Sequence, residues 1–264
     1  MITNLPNAVQ TSGAIEVRKK IESISGGYVL DVGTEDGEFI KVLMKTLQSY
    51  TSFIGIDISS DELEKGQARF HDDPVTLIQM NAEEMTFQDN QFDTVCISYT
   101  IHHLEHIDAV LSEMYRVLKP GGYIIVQELY SDGEQTKAQT VDMDIHRLNV
   151  KIDTLLGIPH FESLTRQQLR NSFNTLGLKD VEVYESSWMV KCLFCDDVIK
   201  CQDPKRAENI EYEIKRIDDD VDRVREHPSY SELIEEAELI KERVKVYGSS
   251  ATSVMYLFGK KSIG

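Results

Sequence analysis

Short apolar runs alternate with segments of helical periodicity through the first half of the chain. Five runs have the length and composition of buried strands: residues 28–33, 52–59, 75–82, 92–100 and 121–130. The intervening segments repeat apolar residues at helical spacing, for example at Phe39, Leu43 and Leu47. Short apolar strands separated by helices indicate βαβ units, so we predict an α/β protein with a parallel sheet covered on both faces.

The pattern changes after residue 130. A long helix is predicted over residues 137–156, and Thr165 with Gln168 has the spacing of a capping box at the start of the next helix. Two further strands are predicted, at 181–190 and 251–261.

A charged, helix-prone stretch at about residues 196–247 separates the last two predicted strands. We therefore expect one core formed by residues 1–190 and 249–264, interrupted by a helical insertion over 191–248. Its acidic surface is typical of a solvated face, and we keep a cap over the core or a homodimer contact through 196–247 as alternatives.

Composition narrows the classes of partner. The 264 residues carry 28 Lys and Arg against 45 Asp and Glu, a formal net charge of −17. Phosphate backbones and anionic lipid both need a cationic surface, so the charge argues against nucleic acid and membrane as partners. The start of the sequence lacks a signal-peptide pattern, and four cysteines do not suggest a disulfide framework, so we predict a cytoplasmic protein.

The stretch YVLDVGTEDGEF, residues 28–39, predicts a buried strand that runs into a glycine turn and a helix. Such a turn lets a ligand approach the backbone closely. Gly33 and Gly37 do not have the spacing of a G-x-G-x-x-G dinucleotide motif, and no Gly-Lys-Ser/Thr of a P-loop follows. The turn therefore matches neither of these two nucleotide-binding motifs, and we expect it to bind a different ligand.

Polar residues stand where the first three strands end. Asp31 precedes the first glycine by two positions, and Asp57 ends the second strand. The carboxyl ends of parallel strands share one edge, where ligands bind. A carboxylate at Asp57 can accept both hydroxyls of a ribose, while Asn81 can pair with the edge of an adenine and Ile58 can cover its face.

Five stretches together resemble the class I S-adenosylmethionine-dependent methyltransferases, in the small-molecule branch that includes quinone-biosynthesis C-methyltransferases. In order, they read VLDVGTEDG, FIGIDIS, QMNAEEMTF, QFDTVCISYTIHHL and YRVLKPGGYIIVQE. The resemblance implies a doubly wound, Rossmann-like sheet of seven strands whose last strand is antiparallel, here with the helical insertion before it. It also implies a methyltransferase that uses S-adenosyl-L-methionine and a small-molecule acceptor.

The resemblance further implies where the cofactor binds. The expected contacts are Asp31, Gly33, Thr34, Glu35, Gly37, Asp57, Ile58, Asn81, Ala82, Glu83, Ser98 and Tyr99. Two of these depart from the family pattern, which has a third glycine at position 35 and an aspartate at position 81. The Asn81 amide oxygen can still accept a hydrogen bond. For Glu35 two interpretations stay open: a side chain beside the methionine end of the cofactor, or one that points to solvent.

Methyl transfer from a sulfonium needs a base only where the acceptor carries a proton. Glu128 ends the fifth strand, faces the expected acceptor site and is our first candidate. His102 and His103 follow the fourth strand, and the resemblance implies a structural or cofactor-adjacent role for His103. The alternative role of Glu128 is a cap or ion pair at the end of its strand.

Four polar residues form one stripe along the predicted helix 137–156: Asp142, His146, Asn149 and Asp153. Most such stripes are solvated, but in this fold the segment after the fifth strand often walls the acceptor pocket. We therefore predict that His146 and Asp153 contact the acceptor, and His160 could join them.

Cys192, Cys195 and Cys201 lie close together in sequence, yet no second pair or nearby histidine completes a closed zinc site, so we predict no metal site. Two alternative functions stay open. Glu35 is compatible with a catalytically silent nucleoside-binding protein, and the cysteines with a thiol or metalloid methyltransferase.

Overall fold

The computed structural model describes residues 12–186 and 203–263. Its strands are β1 (Tyr28–Val32), β2 (Ser52–Asp57), β3 (Val75–Gln79), β4 (Phe92–Ser98), β5 (Leu118–Leu129), β6 (Lys179–Ser186) and β7 (Val254–Lys260). Its helices are α1 (Ser12–Glu22), α2 (Glu38–Thr46), α3 (Ser60–Arg69), α4 (Ile107–Val117), α5 (Lys137–Leu155), α6 (Arg166–Asn174), α7 (Ala207–Asp222) and α8 (Tyr230–Tyr247). A 3-10 turn, Ile101–His103, follows β4.

The seven strands form one sheet in the order β3-β2-β1-β4-β5-β7-β6. The strands β1 to β5 pair in parallel, and β7 runs antiparallel to both β5 and β6. This confirms the predicted doubly wound sheet with an antiparallel last strand. The strand order reverses between β1 and β4, the position where open α/β sheets bind ligands beyond their carboxyl ends.

Helices cover both faces of the sheet, as the continuous apolar strands predicted. On one face, α4 and α6 contribute Val110, Met114 and Leu169 to a buried cluster with strand residues. On the other face, Ile21 of α1 and Leu43 of α2 belong to a second cluster. Because both faces are buried, the polar groups that can meet a ligand are confined to the strand ends and the loops beyond them.

A third buried cluster joins α5 to α7 and α8. Its members from α5 include Ile145, Leu148 and Ile152, which lie on the predicted apolar face. Leu155 and Leu156, at the end of α5, are exposed. The helix-prone stretch 196–247 thus contains two helices packed on α5, while its division from the core as a separate domain stays a prediction.

Element ends differ from the predicted ones where pairing extends or stops a strand. β5 begins at Leu118, before the predicted start at residue 121, because Leu118 pairs with Phe92 of β4. The capping box at Thr165 and Gln168 is present as predicted. β6 is described as far as Ser186, and the rest of the predicted strand 181–190 lies outside the described residues. Among the helices described, none combines the length and apolarity that a membrane crossing requires.

Candidate functional site

The turn between β1 and α2 requires both of its glycines. Gly33 and Gly37 have φ of 67° and 81°, in the left-handed region that disfavours side chains. A Cβ on Gly33 would lie 2.2 Å from Cγ2 of Thr100, and one on Gly37 would lie 2.3 Å from Cε2 of Phe70. The glycines therefore allow β4 and α3 to pack closely against the turn.

Glu35 occupies the position of the family's third glycine and keeps the left-handed backbone, with φ of 47°. Its amide donates a hydrogen bond to Oδ2 of Asp57 at 2.9 Å, and the residue as a whole is exposed although its carboxyl group is partly desolvated. The pKa of Glu35 is raised, first by desolvation of its carboxyl group and then by the charge of Asp57. A left-handed non-glycine residue costs about 1 kcal/mol or more, so the turn retains this conformation against a local preference.

The Asp57 carboxylate is held in a fixed orientation at the end of β2. Oδ2 accepts the hydrogen bond from Glu35, and Oδ1 accepts one from the amide of Ser59 at 2.9 Å. Each carboxylate oxygen retains capacity for a further hydrogen bond. Next to it, Ile58 is 68% exposed, unusual for a large apolar residue at a strand end. A carboxylate beside an uncovered apolar side chain fits a ribose and the base attached to it.

Asn81 completes this edge from the end of β3. Its Oδ1 accepts a hydrogen bond from the amide of Glu83 at 2.9 Å, which fixes the turn that contains Ala82. Asn81 is exposed, and Ala82 and Glu83 are partly buried. The structure thus brings Asp57, Ile58 and Asn81 to neighbouring strand ends, with donor and acceptor groups that suit an adenosine.

Asp31 and Thr34 lie beneath the turn. Oδ2 of Asp31 accepts a hydrogen bond from Oγ1 of Thr34 at 2.7 Å, and Oδ1 accepts one from Sγ of Cys96 at 3.4 Å. Burial raises the pKa of Asp31 from 3.8 to about 7. Both side chains therefore support the turn from inside the protein.

The end of β4 folds over the same turn. Tyr99 has a positive φ of 51°, and its amide donates to the carbonyl of Gln127 at 2.9 Å. Oγ1 of Thr100 lies 2.9 Å from the carbonyl of Ser98 and 3.1 Å from that of Gly33. Ser98 and Tyr99 thus lead the chain from β4, beside the glycine turn, into the 3-10 turn that carries two histidines.

Four histidines from separate parts of the chain form one cluster: His102, His103, His146 and His160. In five of the six pairs the ring centroids lie between 4.2 and 5.4 Å apart. The sequence places His102 beside His103 and predicts that His160 could join His146, but it does not bring these two pairs together. The available signal was the His-His pair directly after β4.

Glu128 has a different environment from the expected one. Its Oε1 accepts hydrogen bonds from Nδ1 of His102 at 2.9 Å and from the amide of Leu129 at 2.8 Å. Its Oε2 accepts one from the amide of Ile101 at 2.8 Å, and the residue is 1% exposed. The prediction of a free carboxylate facing the acceptor does not fit this geometry, because protein donors occupy it. Glu128 orients His102 instead.

Asp153, on α5, contacts a histidine in the same way as Glu128 does. Its Oδ2 lies 2.7 Å from Nδ1 of His160, and its Oδ1 lies 2.6 Å from Nη2 of Arg223. Asp142, from the same predicted stripe, accepts hydrogen bonds from the amide and hydroxyl of Thr252. The stripe is therefore not a solvated face: Asp142 and Asp153 are paired with other elements, and Asp153 holds the histidine cluster to which His146 belongs.

The cluster is neutral at physiological pH wherever a pKa shift is resolved. Burial, followed by the nearby His102, lowers the pKa of His103 to about 4 and that of His146 to about 3. Burial also lowers the pKa of His160. Neutral imidazoles keep a lone pair that can bind a proton or a metal ion. At a pKa of about 4, however, His103 would be a weak general base near pH 7.

A cavity of about 150 Å³ borders the cluster. It lies between α5, the end of β5, α7 and the loop before α6. Its lining includes Leu129, Ile145, His146, Asn149, Ser163 and Arg216. His146 therefore faces both the other histidines and a space that can hold a small molecule.

The turn, the strand ends and the loop after β4 are the parts that also match known proteins in sequence. Residues 30–126 match a family described as methyltransferase domain. A demethylmenaquinone methyltransferase of Bacteroides fragilis is 32% identical over 105 residues, covering 38% of this chain and 42% of that protein. A ubiquinone/menaquinone biosynthesis C-methyltransferase, UbiE, of Pseudoalteromonas translucida is 30% identical over 137 residues, covering 50% and 52%. The chain thus spans about half the length of the curated relatives it matches.

Solved structures share the fold over nearly the whole chain. The YcgJ protein of Bacillus subtilis has a TM-score of 0.54 at 18% identity and covers 96% of this chain and 99% of its own. A phosphoethanolamine N-methyltransferase of Haemonchus contortus, in complex with phosphomonomethylethanolamine and S-adenosylhomocysteine, has a TM-score of 0.56 at 19% identity, covering 94% and 52%. Together with the match of residues 30–126, they confirm the resemblance to class I methyltransferases.

Proposed function

We propose that this chain is a methyltransferase that uses S-adenosyl-L-methionine and a small-molecule acceptor. The observation that carries the proposal is the Asp57 carboxylate, held by the amides of Glu35 and Ser59 beside the exposed Ile58. The match of residues 30–126 to a methyltransferase domain supports it.

Each part of this edge has a defined task in binding. Asp57 would accept the ribose hydroxyls, Ile58 would cover one face of the adenine, and Asn81 would bind its edge. The backbone of the turn from Gly33 to Gly37 would hold the methionine end. The bound cofactor supplies an electrophilic methyl group, and the protein's contribution is to align the acceptor and exclude water.

The acceptor would occupy the cavity beside His146. A cavity of about 150 Å³ holds a group the size of one benzene ring. The curated relatives are named for quinone substrates, which agrees with a ring-sized acceptor group. The net charge of −17 disfavours nucleic acid and anionic lipid. The cytoplasmic location and the homodimer through 196–247 stay predictions.

Binding of the cofactor tests the site directly. Replacing Asp57 with Ala should weaken S-adenosylmethionine binding by about 1–3 kcal/mol, the scale of hydrogen bonds to a charged group. Isothermal titration calorimetry measures this, and Asp61→Ala is the matched control because Asp61 is an exposed carboxylate on α3 nearby. Unchanged affinity in Asp57→Ala would remove the ribose assignment.

Turnover distinguishes an enzyme from a silent binding protein. We expect the wild-type chain to form S-adenosylhomocysteine with at least one member of a panel of phenols, quinols, amines and thiols. Cofactor binding without turnover on any acceptor would favour the silent binder. Turnover confined to thiols would favour the thiol or metalloid methyltransferase. The cysteines on which that alternative depends, Cys192, Cys195 and Cys201, lie outside the described residues.

A further inference from the structure

We propose that His102, His146 and His160 form a binding site for a divalent transition-metal ion. One ring nitrogen from each of the three lies within 4.8 Å of the others. Zn–N bonds of about 2.0–2.1 Å place the ligands of one ion somewhat closer than this, so small side-chain rotations would complete the site. The proposal departs from the sequence-based prediction of no metal site, which considered only the cysteines.

The second ring nitrogens are arranged as metal-binding histidines require. Nδ1 of His102 donates to Glu128, and Nδ1 of His160 donates to Asp153. A histidine that donates one N–H to a carboxylate directs the lone pair of its other nitrogen to the metal, and the carboxylate raises its basicity. Both carboxylates are fixed in turn, Glu128 by two backbone amides and Asp153 by Arg223.

An unpartnered nitrogen supplies independent support. Nε2 of His160 is buried without a hydrogen-bond partner in the described part of the chain, and the residue is only 8% exposed. Because Nδ1 is the donor to Asp153, this Nε2 is the acceptor of a neutral imidazole. A buried acceptor without a partner is unfavourable, and a metal ion would satisfy it.

His146 contributes the third ring nitrogen. Nε2 of His146 lies 3.2 Å from Oγ of Ser163, a hydroxyl that can rotate to another partner. His103 lies beside the site and donates from Nδ1 to the carbonyl of Pro159 at 3.1 Å.

The ligand set indicates the class of metal. Three neutral imidazoles favour Zn²⁺ and its neighbours Co²⁺, Ni²⁺ and Cu²⁺ over Mg²⁺ and Ca²⁺, which prefer oxygen. Three protein ligands leave a fourth position open. Given the proposed function, that position would bind an oxygen, nitrogen or sulfur atom of the acceptor and hold it near the cavity of His146.

Cobalt binding tests the site without any need for methyl transfer. Wild-type protein treated with a chelator, dialysed and titrated with Co²⁺ should bind one ion per chain and develop the visible absorption of a low-coordinate cobalt centre. His146→Ala and Asp153→Asn should each weaken binding by at least about 10–100-fold, as for the loss of a ligand or its carboxylate partner. His71→Ala is the matched control, since its side chain is 86% exposed and pairs with Asp72 on the surface.

A second control tests whether the cysteines contribute to cobalt binding. A variant with Cys192→Ser, Cys195→Ser and Cys201→Ser should bind Co²⁺ as the wild type does. Loss of binding in that variant, equal binding in His146→Ala, or no ion bound by the wild type would each overturn the proposal. Circular dichroism of His146→Ala confirms folding, with His146→Gln as the second variant where folding fails.

Failure of the metal site and failure of the proposed function give different results. Asp57→Ala should leave cobalt binding unchanged, and His146→Ala should leave S-adenosylmethionine affinity unchanged, because Asp57 and His146 lie on different elements. A protein that binds cobalt but not the cofactor would retain the metal site and lose the methyltransferase proposal. A protein that binds the cofactor but not cobalt would retain the methyltransferase proposal and lose the metal site.

Discussion

Asp31 shows at the residue scale how burial sets a charge state. Its carboxyl group lies under the glycine turn, and its pKa of about 7 compares with an ordinary value of 3.8. Hydrogen bonds from Thr34 and Cys96 lower the pKa, but the burial that raises it dominates. The folded protein therefore favours the protonated form.

Asp31 should make the fold less stable as pH rises. Below about pH 4 the group is protonated in both states, so burial then carries no ionisation penalty. Between pH 4 and 7 the unfolded chain loses the proton while the folded chain keeps it, and the stability falls by up to about 4 kcal/mol before it levels off. Asp31→Asn should lack this fall.

Urea unfolding at pH 4.5 and pH 8 measures the effect. We expect the free energy of unfolding of the wild type, relative to Asp31→Asn, to be lower at pH 8 than at pH 4.5. Asp72→Asn is the control, because its side chain is 95% exposed and its substitution should change the two values equally. An identical pH dependence for wild type and Asp31→Asn would show that the group ionises normally in the folded state.

At the scale of elements, the ion pair between Asp153 and Arg223 joins α5 to the end of α7. The Asp153 side chain is nearly buried, and it also orients His160. Arg225 makes an ion pair of the same length, 2.6 Å, with Asp222, but that pair is largely exposed. The two arginines thus form a natural comparison of a buried and a surface contact.

Removing the buried ion pair should lower the free energy of unfolding more than removing the exposed one. Arg223→Ala leaves the Asp153 carboxylate without its cation and should lower the free energy of unfolding by about 1–3 kcal/mol. Arg225→Ala should stay within about 0.5 kcal/mol of the wild type. Chemical denaturation of both variants measures the difference. Equal values would mean that Arg223 does not stabilise the contact between α5 and α7.

At the scale of the whole molecule, two buried clusters flank the sheet and a third lies among α5, α7 and α8. Segments with separate cores can open separately, with free energies below that of global unfolding. This arrangement supports the proposal that residues 191–248 form an insertion on a core that has its own stability.

Hydrogen exchange tests that proposal. Ile217→Ala creates a cavity in the third cluster, a change of about 2–5 kcal/mol. Amides of α7 and α8 should exchange faster, while those of β1 and β4 keep their protection. Ile124→Ala, in the core of the sheet, should instead accelerate exchange in both regions. Equal acceleration of sheet and helices by Ile217→Ala would mean that the chain opens as one unit.

Much of the fold and of the cofactor edge could be predicted from the sequence, because both depend on local patterns. Short apolar runs give buried strands, a period of 3.6 residues gives helices, and parallel strands bring their carboxyl ends to one edge. Asp57, Ile58 and Asn81 follow directly from where β2 and β3 end. That these three residues lie close together can be predicted without knowing how distant helices pack.

The histidine cluster and the pairing of Glu128 were decided by the tertiary structure. His102, His146 and His160 come from a turn, a helix and a loop, and no periodicity relates them. The position of Glu128 at a strand end predicts a base that faces the acceptor, yet the 3-10 turn after β4 places two donors around its carboxylate and the amide of Leu129 adds a third. Side chains of separate elements meet only at the angles and distances that core packing sets, and a linear pattern does not contain these.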